Sequence, residues 1–178
     1  MNIIIASDIH GSAYYCRKLL ERFEQEKAER LVLLGDILYH GPRNDLPRDY
    51  APKEVIAMLN PLAHKILCVK GNCESDVDGM VLDFPVDTDN AAIFCEENTL
   101  YLTHGHKIRT DIAKMNCILV NGHTHVPLCD LSEGYLHINP GSVSIPKENS
   151  PHSYILFDGR TFLWKDVNTG EVYKTHTI

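Results

Sequence analysis

The sequence predicts an α/β domain in which two sheets pack together with helices outside. In the first half, short apolar runs alternate with helical patterns; from about residue 91 onward, apolar runs follow one another with little helix between them. Length is the third indication. At 178 residues with 44% hydrophobic content, the chain suits one domain that buries about 70% of its unfolded surface. Nothing in it resembles a flexible linker, a repeat or a low-complexity tract, so residues 1–178 read as a single domain.

The run "NIIIAS" (residues 2–7) reads as a buried strand. A helix follows, with Tyr15, Leu19, Leu20 and Phe23 recurring at helical spacing and Arg17, Lys18, Glu21 and Arg22 facing away. "RLVLLGD" (30–36) is a second buried strand, and "PKEVIAMLNPL" is a short helix opened by Pro52 in its first turn and stopped by Pro61. "HKILCVKGN" supplies a third strand. A βαβαβ order of this kind implies parallel strands with right-handed crossovers. Further on, "AAIFCEE" and "TLYLTHG" form a hairpin around Glu97 and Asn98, "RTDIAKMN" one short helix, and "CILVNGHTH" another buried strand. The remaining tail predicts an antiparallel sheet with turns at Glu133-Gly134, Asp158-Gly159 and Thr169-Gly170, where glycine supplies positive φ.

The formal charge of −7, from 24 acidic and 17 basic residues with no long run of one sign, leaves no footprint for long nucleic acid or an anionic membrane. The apolar stretch in the opening "MNIIIASDIHG" is too short for a signal peptide and lacks a basic leading segment, and no later apolar run reaches the roughly 18 residues of a membrane span. Six cysteines lie scattered without CxxC spacing, which fits reduced thiols and a cytoplasmic location.

Chemistry concentrates where apolar runs stop. "SDIHG" ends in Asp8 and His10, "LGD" in Asp36, "GNCE" in Asn72, "LTHGH" in His104 and His106, and "NGHTH" in His123 and His125. In an α/β sheet the ligand crevice lies beyond the carboxyl ends of parallel strands, so topology alone delivers the first three groups to one place. The i, i+2 spacing of Asp8/His10 and His123/His125 places both members on one side of an extended segment. Taken singly, Asp8 reads equally well as a helix cap, Asp36 as part of a turn with Gly35, and Asn72 as a turn residue. His40, His64, His137, His152 and His176 read as surface or packing residues, and His106 as a residue lining the site.

Taken together, Asp8, His10, Asp36, Asn72, His104, His123 and His125 read as metal ligands. Imidazole, carboxylate and amide oxygen suit Mn²⁺, Fe, Co²⁺, Ni²⁺ or Zn²⁺ better than Ca²⁺ or copper(I). Seven ligands exceed one tetrahedral zinc and suit two ions roughly 3.5–4 Å apart, sharing a carboxylate and a water that becomes a hydroxide and attacks phosphorus in line.

The ordered motifs "DIH" (8–10), "GD" (35–36), "GNCE" (71–74), "THGH" (103–106) and "GHTH" (122–125) resemble the calcineurin-like metallophosphoesterases. The resemblance runs from Met1 to about Ser142 and favours the small bacterial phosphodiesterases of that family. It implies a four-layer α/β/β/α sandwich. It further implies two divalent ions per chain, Mn²⁺ first and Zn²⁺, Fe, Co²⁺ or Ni²⁺ as alternatives. Asp8, His10, Asp36 and His125 would hold one ion, and Asp36, Asn72, His104 and His123 the other, with Asp36 as the bridge. Asp36, Asn72 and His104 would act in catalysis through the metals. Cys73 stands where the family usually carries a histidine beside the metals, and a thiol with a pKa near ~8.5 cannot hold an imidazolium's charge. Arg43 and Asn44, in "HGPRN", lie on a loop that overhangs the site and can contact phosphate or leaving group. "NPGS" (139–142) reads either as a backbone turn beside the histidines or as a purely structural turn. The implied activity is hydrolysis of small phosphodiesters. The alternative is a scaffold like the retromer subunit of this fold, in which the metal site has been altered for protein binding. A homo-oligomer through an edge of the tail strands stays open.

Overall fold

The computed structural model describes residues 2–109, 111–131 and 134–178. Two mixed sheets stack face to face. Strands β1 (Ile3–Ala6), β2 (Arg30–Leu33) and β3 (Ile66–Cys68) are parallel, as the βαβαβ order requires. They share a sheet with β9 (Ser153–Phe157), β10 (Thr161–Asp166) and β11 (Val172–Thr177), in the order β11-β10-β9-β1-β2-β3. The second sheet has β4 (Asn90–Cys95), β5 (Asn98–Thr103), β6 (Ile118–Asn121), β7 (Pro127–Asp130) and β8 (His137–Pro140), in the order β4-β5-β6-β8-β7.

The period of two within β1 explains the layering. Ile4 and Ala6, with Leu31 and Leu33 of β2, face helices α1 (Ala13–Gln25) and α2 (Pro52–Leu59), where Leu19, Phe23, Val55 and Leu59 complete one core. Ile3 and Ile5 point the other way, into a second core between the sheets with Leu100, Leu102, Val120, Ile138 and Trp164. Helix α1 starts on Ser12, whose hydroxyl accepts from the Tyr15 N–H at 3.3 Å. The capping role available to Asp8 is therefore filled by another residue, and the carboxylate is left for other work.

Three expectations are corrected. The tail is not one antiparallel sheet: β9–β11 join the first sheet with β9 antiparallel to β1, whereas β5, β6 and β8 run parallel in the second. Turn signals specify local hairpins only, and the sheet each strand joins is decided by long-range burial. "RTDIAKMN" forms a single 3₁₀ turn, Ile112–Met115, ended by Asn116 at φ 47°. Together with Cys117, Leu119 and Tyr135, Ile112 makes the small cluster on the outer face of the second sheet. The β4–β5 hairpin turns on Glu96-Glu97, closed by the Cys95/Asn98 pair and with Glu96 at φ 51°. Of the expected turn at Glu133-Gly134, Glu133 lies outside the described residues and Gly134 has φ 81°. Among the described residues no helix is long and apolar enough to cross a membrane.

Trp164 ties the core to β8. It is fully buried between the sheets, and its Nε1–H donates to the Asn139 carbonyl at 2.7 Å. Replacing Trp164 by Phe keeps an aromatic ring and leaves that bond unmade. A loss of about 1–3 kcal/mol is expected for a buried acceptor left unpaired, read as a lower urea midpoint with an unchanged m-value.

Candidate active site

The predicted ligands do converge, though not through pleated geometry. Asp8 (φ 58°), His10 (50°), Asp36 (56°), His123 (69°) and His125 (63°) all adopt left-handed backbone. For a non-glycine residue this conformation is uncommon and costs free energy, and its clustering at one place marks a site that the surrounding structure over-determines. The i, i+2 spacing thus works through turns beyond the strand ends and not through extended chain. Its outcome also differs. His125 turns toward Asp8 and His10, while His123 turns toward His104. Backbone bonds hold the turns: Asp8 N–H donates to Gly35 O at 3.1 Å, His10 N–H to Asp36 O at 2.8 Å and Gly122 N–H to His104 O at 2.9 Å.

The side-chain atoms that meet are nearly all acceptors. His10, His104 and His125 each place Nδ1 on a backbone carbonyl, of Tyr39 at 2.7 Å, Leu34 at 2.6 Å and Ile145 at 2.8 Å. A carbonyl only accepts, so each Nδ1 carries the hydrogen and a neutral ring aims the Nε2 lone pair inward. His10 Nε2 faces His125 Nε2 at 3.4 Å, and His125 Nε2 stands 3.3 Å from Asp8 Oδ1. On the other side, His104 Nε2 lies 3.1 Å from Asn72 Oδ1 and 3.2 Å from His123 Nδ1. Asp36 Oδ2 sits between the halves, 3.4 Å from His104 Nε2 and 3.6 Å from His10 Nε2.

Metal–ligand bonds of roughly 2.0–2.2 Å put neighbouring ligand atoms roughly 3.0–3.5 Å apart, which is the spacing found. Asp8 Oδ1 is buried without a hydrogen-bond partner among the described residues. An acceptor in that state calls for a cation, and Asp8, His10 and His125, like Asp8, Asp36 and His104, form groups able to hold one. The residues fit divalent metal, as the chemistry of this donor set requires.

The two carboxylates are held ionised. Burial opposes the Asp8 charge, but the imidazoles of His10, His125 and His104 around it, once protonated, take its pKa far below the usual carboxylate range. Burial likewise opposes the charge of Asp36, and His104 lowers its pKa. Burial would depress the His104 imidazole, yet the Asp36 hydrogen bond and the Asp8 and Asp36 charges raise it to about 9. In the absence of metal, protons occupy positions that a cation would otherwise take.

Glu74, which the sequence reading left without a role, organises the loops. Its buried carboxylate accepts from Asp36 N–H at 2.9 Å, Ile37 N–H at 2.6 Å and Gly71 N–H at 2.5 Å, joining the loop after β2 to the loop after β3. The approach is close enough that a Cβ on Gly71 would meet Asp36 Oδ1 at 2.1 Å. The acid of "GNCE" was therefore a readable signal, three residues beyond the glycine whose N–H it accepts. "NPGS" buttresses the site: Ser142 Oγ donates to Asp8 O at 2.8 Å and Asn139 Nδ2 to Gly122 O at 2.8 Å.

The centre opens into a cavity of about 390 Å³, lined by Gly41, Arg43 and Asn44 from one loop and by Thr124 and Lys147 from others. Arg43 lies at the mouth, exposed. Asn44 lines the wall and donates from Nδ2 to His40 O at 2.8 Å. Lys147 was not anticipated from sequence. Cys73 lies within 4.8 Å of ligand atoms of His10 and Asp36. Burial and the Asp36 carboxylate push its pKa well above the usual thiol range, so it stays protonated at neutral pH. His106 stands beside His104 and His123, at ring-centroid distances of 5.5 and 6.1 Å.

Glu74→Gln sets an amide N–H₂ against backbone donors. It is expected to cost about 1–3 kcal/mol and to weaken Mn²⁺ binding, as measured by urea unfolding and titration calorimetry. His104 gives a pH signature. Its folded pKa of about 9 exceeds the ordinary imidazole value of 6.5, so its contribution to metal-free stability is full below 6.5 and lost as pH rises through 9. The Tm of metal-free protein should fall across that window while metal affinity rises, because proton and cation compete for one lone pair.

Comparison with known proteins identifies the family. Phosphodiesterase YfcE of Escherichia coli K12 is 47% identical over 161 residues, covering 89% of this chain and 88% of the relative. The solved structure of YfcE, a phosphoesterase from E. coli, superposes with a TM-score of 0.91 at 41% identity and full coverage of both chains. Vps29 from Entamoeba histolytica, solved with zinc, shares the fold at a TM-score of 0.65 and 20% identity, covering 100% of this chain and 98% of that one. Residues 1–161 match the calcineurin-like phosphoesterase superfamily domain, and the chain belongs to that superfamily.

Proposed function

We propose that the chain is a metal-dependent phosphodiesterase that hydrolyses small phosphodiesters, one domain spanning residues 1–178, working in the cytoplasm. The position of Asp36 carries this reading: one carboxylate oxygen lies 3.4 Å from His104 Nε2 and 3.6 Å from His10 Nε2, between two sets of inward-facing acceptors. Asp8, His10, Asp36 and His125 would hold one divalent ion, and Asp36, Asn72, His104 and His123 the other. Two such ions supply a hydroxide nucleophile at neutral pH and positive charge for the phosphate oxygens. Mn²⁺ is the first expectation, with Zn²⁺, Fe, Co²⁺ or Ni²⁺ suited to the same donors.

The chain's own residues do the rest. Carbonyl bonds on His10, His104 and His125 fix ring orientation, so the centre is preorganised before substrate arrives. Asn44 lines the cavity and Arg43 its mouth, where they would meet phosphate or leaving group. Neutral Cys73 is a poor nucleophile and a weak donor, and it adds no positive charge for a phosphomonoester dianion. Diesters with good leaving groups are therefore the favoured substrates. A small cavity and a net charge of −7 argue against long nucleic acid and anionic membranes as partners.

A scaffold on this fold is the other reading. Vps29 of E. histolytica was solved with zinc, so metal uptake alone does not separate the two, and turnover does. With Mn²⁺ added, the wild-type protein should hydrolyse aryl phosphodiesters, and Asp36→Ala should lose activity by about 10³-fold or more while staying folded. Cys73→Ala should stay within about tenfold of wild type, and Cys73→His should raise monoester relative to diester turnover. Full activity in folded Asp36→Ala would overturn the two-metal assignment. Loss by orders of magnitude in metal-loaded Cys73→Ala would give the thiol a catalytic role.

A further inference from the structure

Two cationic side chains, Arg43 and Lys147, line the cavity from separate loops, and the chemistry proposed for the centre gives Lys147 no role. Arg43 follows β2 and Lys147 follows β8; both line the cavity, and both are exposed. The Lys147 backbone is anchored to the site, its N–H donating to His125 O at 3.2 Å, while His125 Nδ1 donates to Ile145 O at 2.8 Å two residues earlier. Glu148 (φ 55°) and Asn149 (57°) then turn the chain in left-handed backbone, and Ser150 N–H closes the turn on Lys147 O at 3.0 Å. The Arg43 loop is pinned in turn by the bond from Asn44 to His40 O and packs so closely that a Cβ on Gly41 would meet Cys73 Sγ at 3.3 Å. Both cations thus project from loops fixed to the centre.

Among the described residues neither cation pairs with a carboxylate, whereas Arg17, Lys18, Arg109 and Lys165 all do. Formal charge at the ligand cluster closes without them: two divalent ions would be balanced by the Asp8 and Asp36 carboxylates, one diester anion and one hydroxide, while the Glu74 carboxylate beside them is met by three backbone N–H groups. The mouth therefore holds positive charge in excess of what the scissile group requires, on a chain whose net charge is −7. Positive charge placed there, in an otherwise anionic protein, raises the local concentration of a matching anion.

We propose that Lys147, with Arg43 lining the same cavity, forms an anion subsite, and that the substrate is a phosphodiester carrying a second anionic group, a phosphate or carboxylate, on one arm. The proposal rests on the phosphodiesterase reading for its substrate. Arginine supplies a planar fork and lysine a point charge, which suits a group met from two loops without a fixed orientation. It gives the cavity specificity for one end of an otherwise small ligand.

A matched pair of esters tests it: the p-nitrophenyl ester of thymidine 5′-phosphate, and the same ester bearing a 3′-phosphate, with identical leaving groups. Manganese-loaded wild type should prefer the 3′-phosphate ester in kcat/KM by about fivefold to tenfold, mainly through KM, and the preference should shrink as salt is raised. Lys147→Met should bring the ratio close to one, and Lys147→Arg should retain it. Calorimetry supplies a readout independent of turnover, since thymidine 3′,5′-bisphosphate should bind wild type more tightly than thymidine 5′-phosphate by a similar factor and Lys147→Met should lose the difference. Equal kcat/KM for the two esters together with equal affinity for the two products in wild type would overturn the subsite. Failure to hydrolyse either ester with any divalent ion would instead overturn the phosphodiesterase reading, and the product-binding comparison would still judge the subsite.

Discussion

A buried cluster of acceptors with too few hydrogens to share is the constraint on which this structure depends. Asp8, His10 and His104 are fully buried and Asp36 nearly so, and their inward atoms face one another at hydrogen-bond distance with hydrogens already committed to carbonyls outside the cluster. Such an arrangement is unfavourable unless positive charge occupies it, as a proton on an imidazole or as a metal ion. Everything around the cluster maintains this state. The sheets supply rigid strand ends, the left-handed turns aim the side chains, and Glu74 binds the two turns that would otherwise separate.

The stacking of the sheets explains why the ligands come from both halves of the chain. Parallel strands β1, β2 and β3 deliver Asp8, His10, Asp36 and Asn72 from one sheet, and β5 and β6, also parallel, deliver His104, His123 and His125 from the other. The contact between the two groups is made through backbone as well as side chain. His123 N–H donates to Asp8 Oδ2 at 3.0 Å, and a Cβ on Gly122 would meet Ser7 Oγ at 1.9 Å. The sandwich core and the site therefore share one spacing, set by how closely the second sheet's loops approach the first.

Much of this was legible in the chain. The apolar runs of β1 and β2 and the 3.6-residue pattern from Tyr15 to Phe23 mark burial directly, and strand-end chemistry follows from parallel topology. Less local features were not legible. Positive φ at His123 and His125 is enforced by surrounding hydrogen bonds and leaves no mark in residue type, so the pair looked extended. Sheet membership of β9–β11 depends on burial against β1, far away in sequence. "RTDIAKMN" has helical composition but only Ile112 of its 3₁₀ turn is buried, too little apolar face to sustain more than one turn. Lys147 lay in a stretch with no periodicity at all, and only the anchoring of its loop to His125 brings it to the cavity.

The left-handed backbone also bears on how such a protein can change. Asparagine, aspartate and histidine are the non-glycine residues that tolerate this conformation best. The turns themselves are closed by main-chain bonds, such as those from Asp8 to Gly35 and from His10 to Asp36. An acid or imidazole at these positions can be exchanged for asparagine with the turn intact and the buried charge reduced. Chemistry and architecture are separable here, one ligand at a time, and removing the crowd of buried acceptors relieves the fold of its main electrostatic burden. A catalyst built in this way has a downhill route to an inert protein of the same shape.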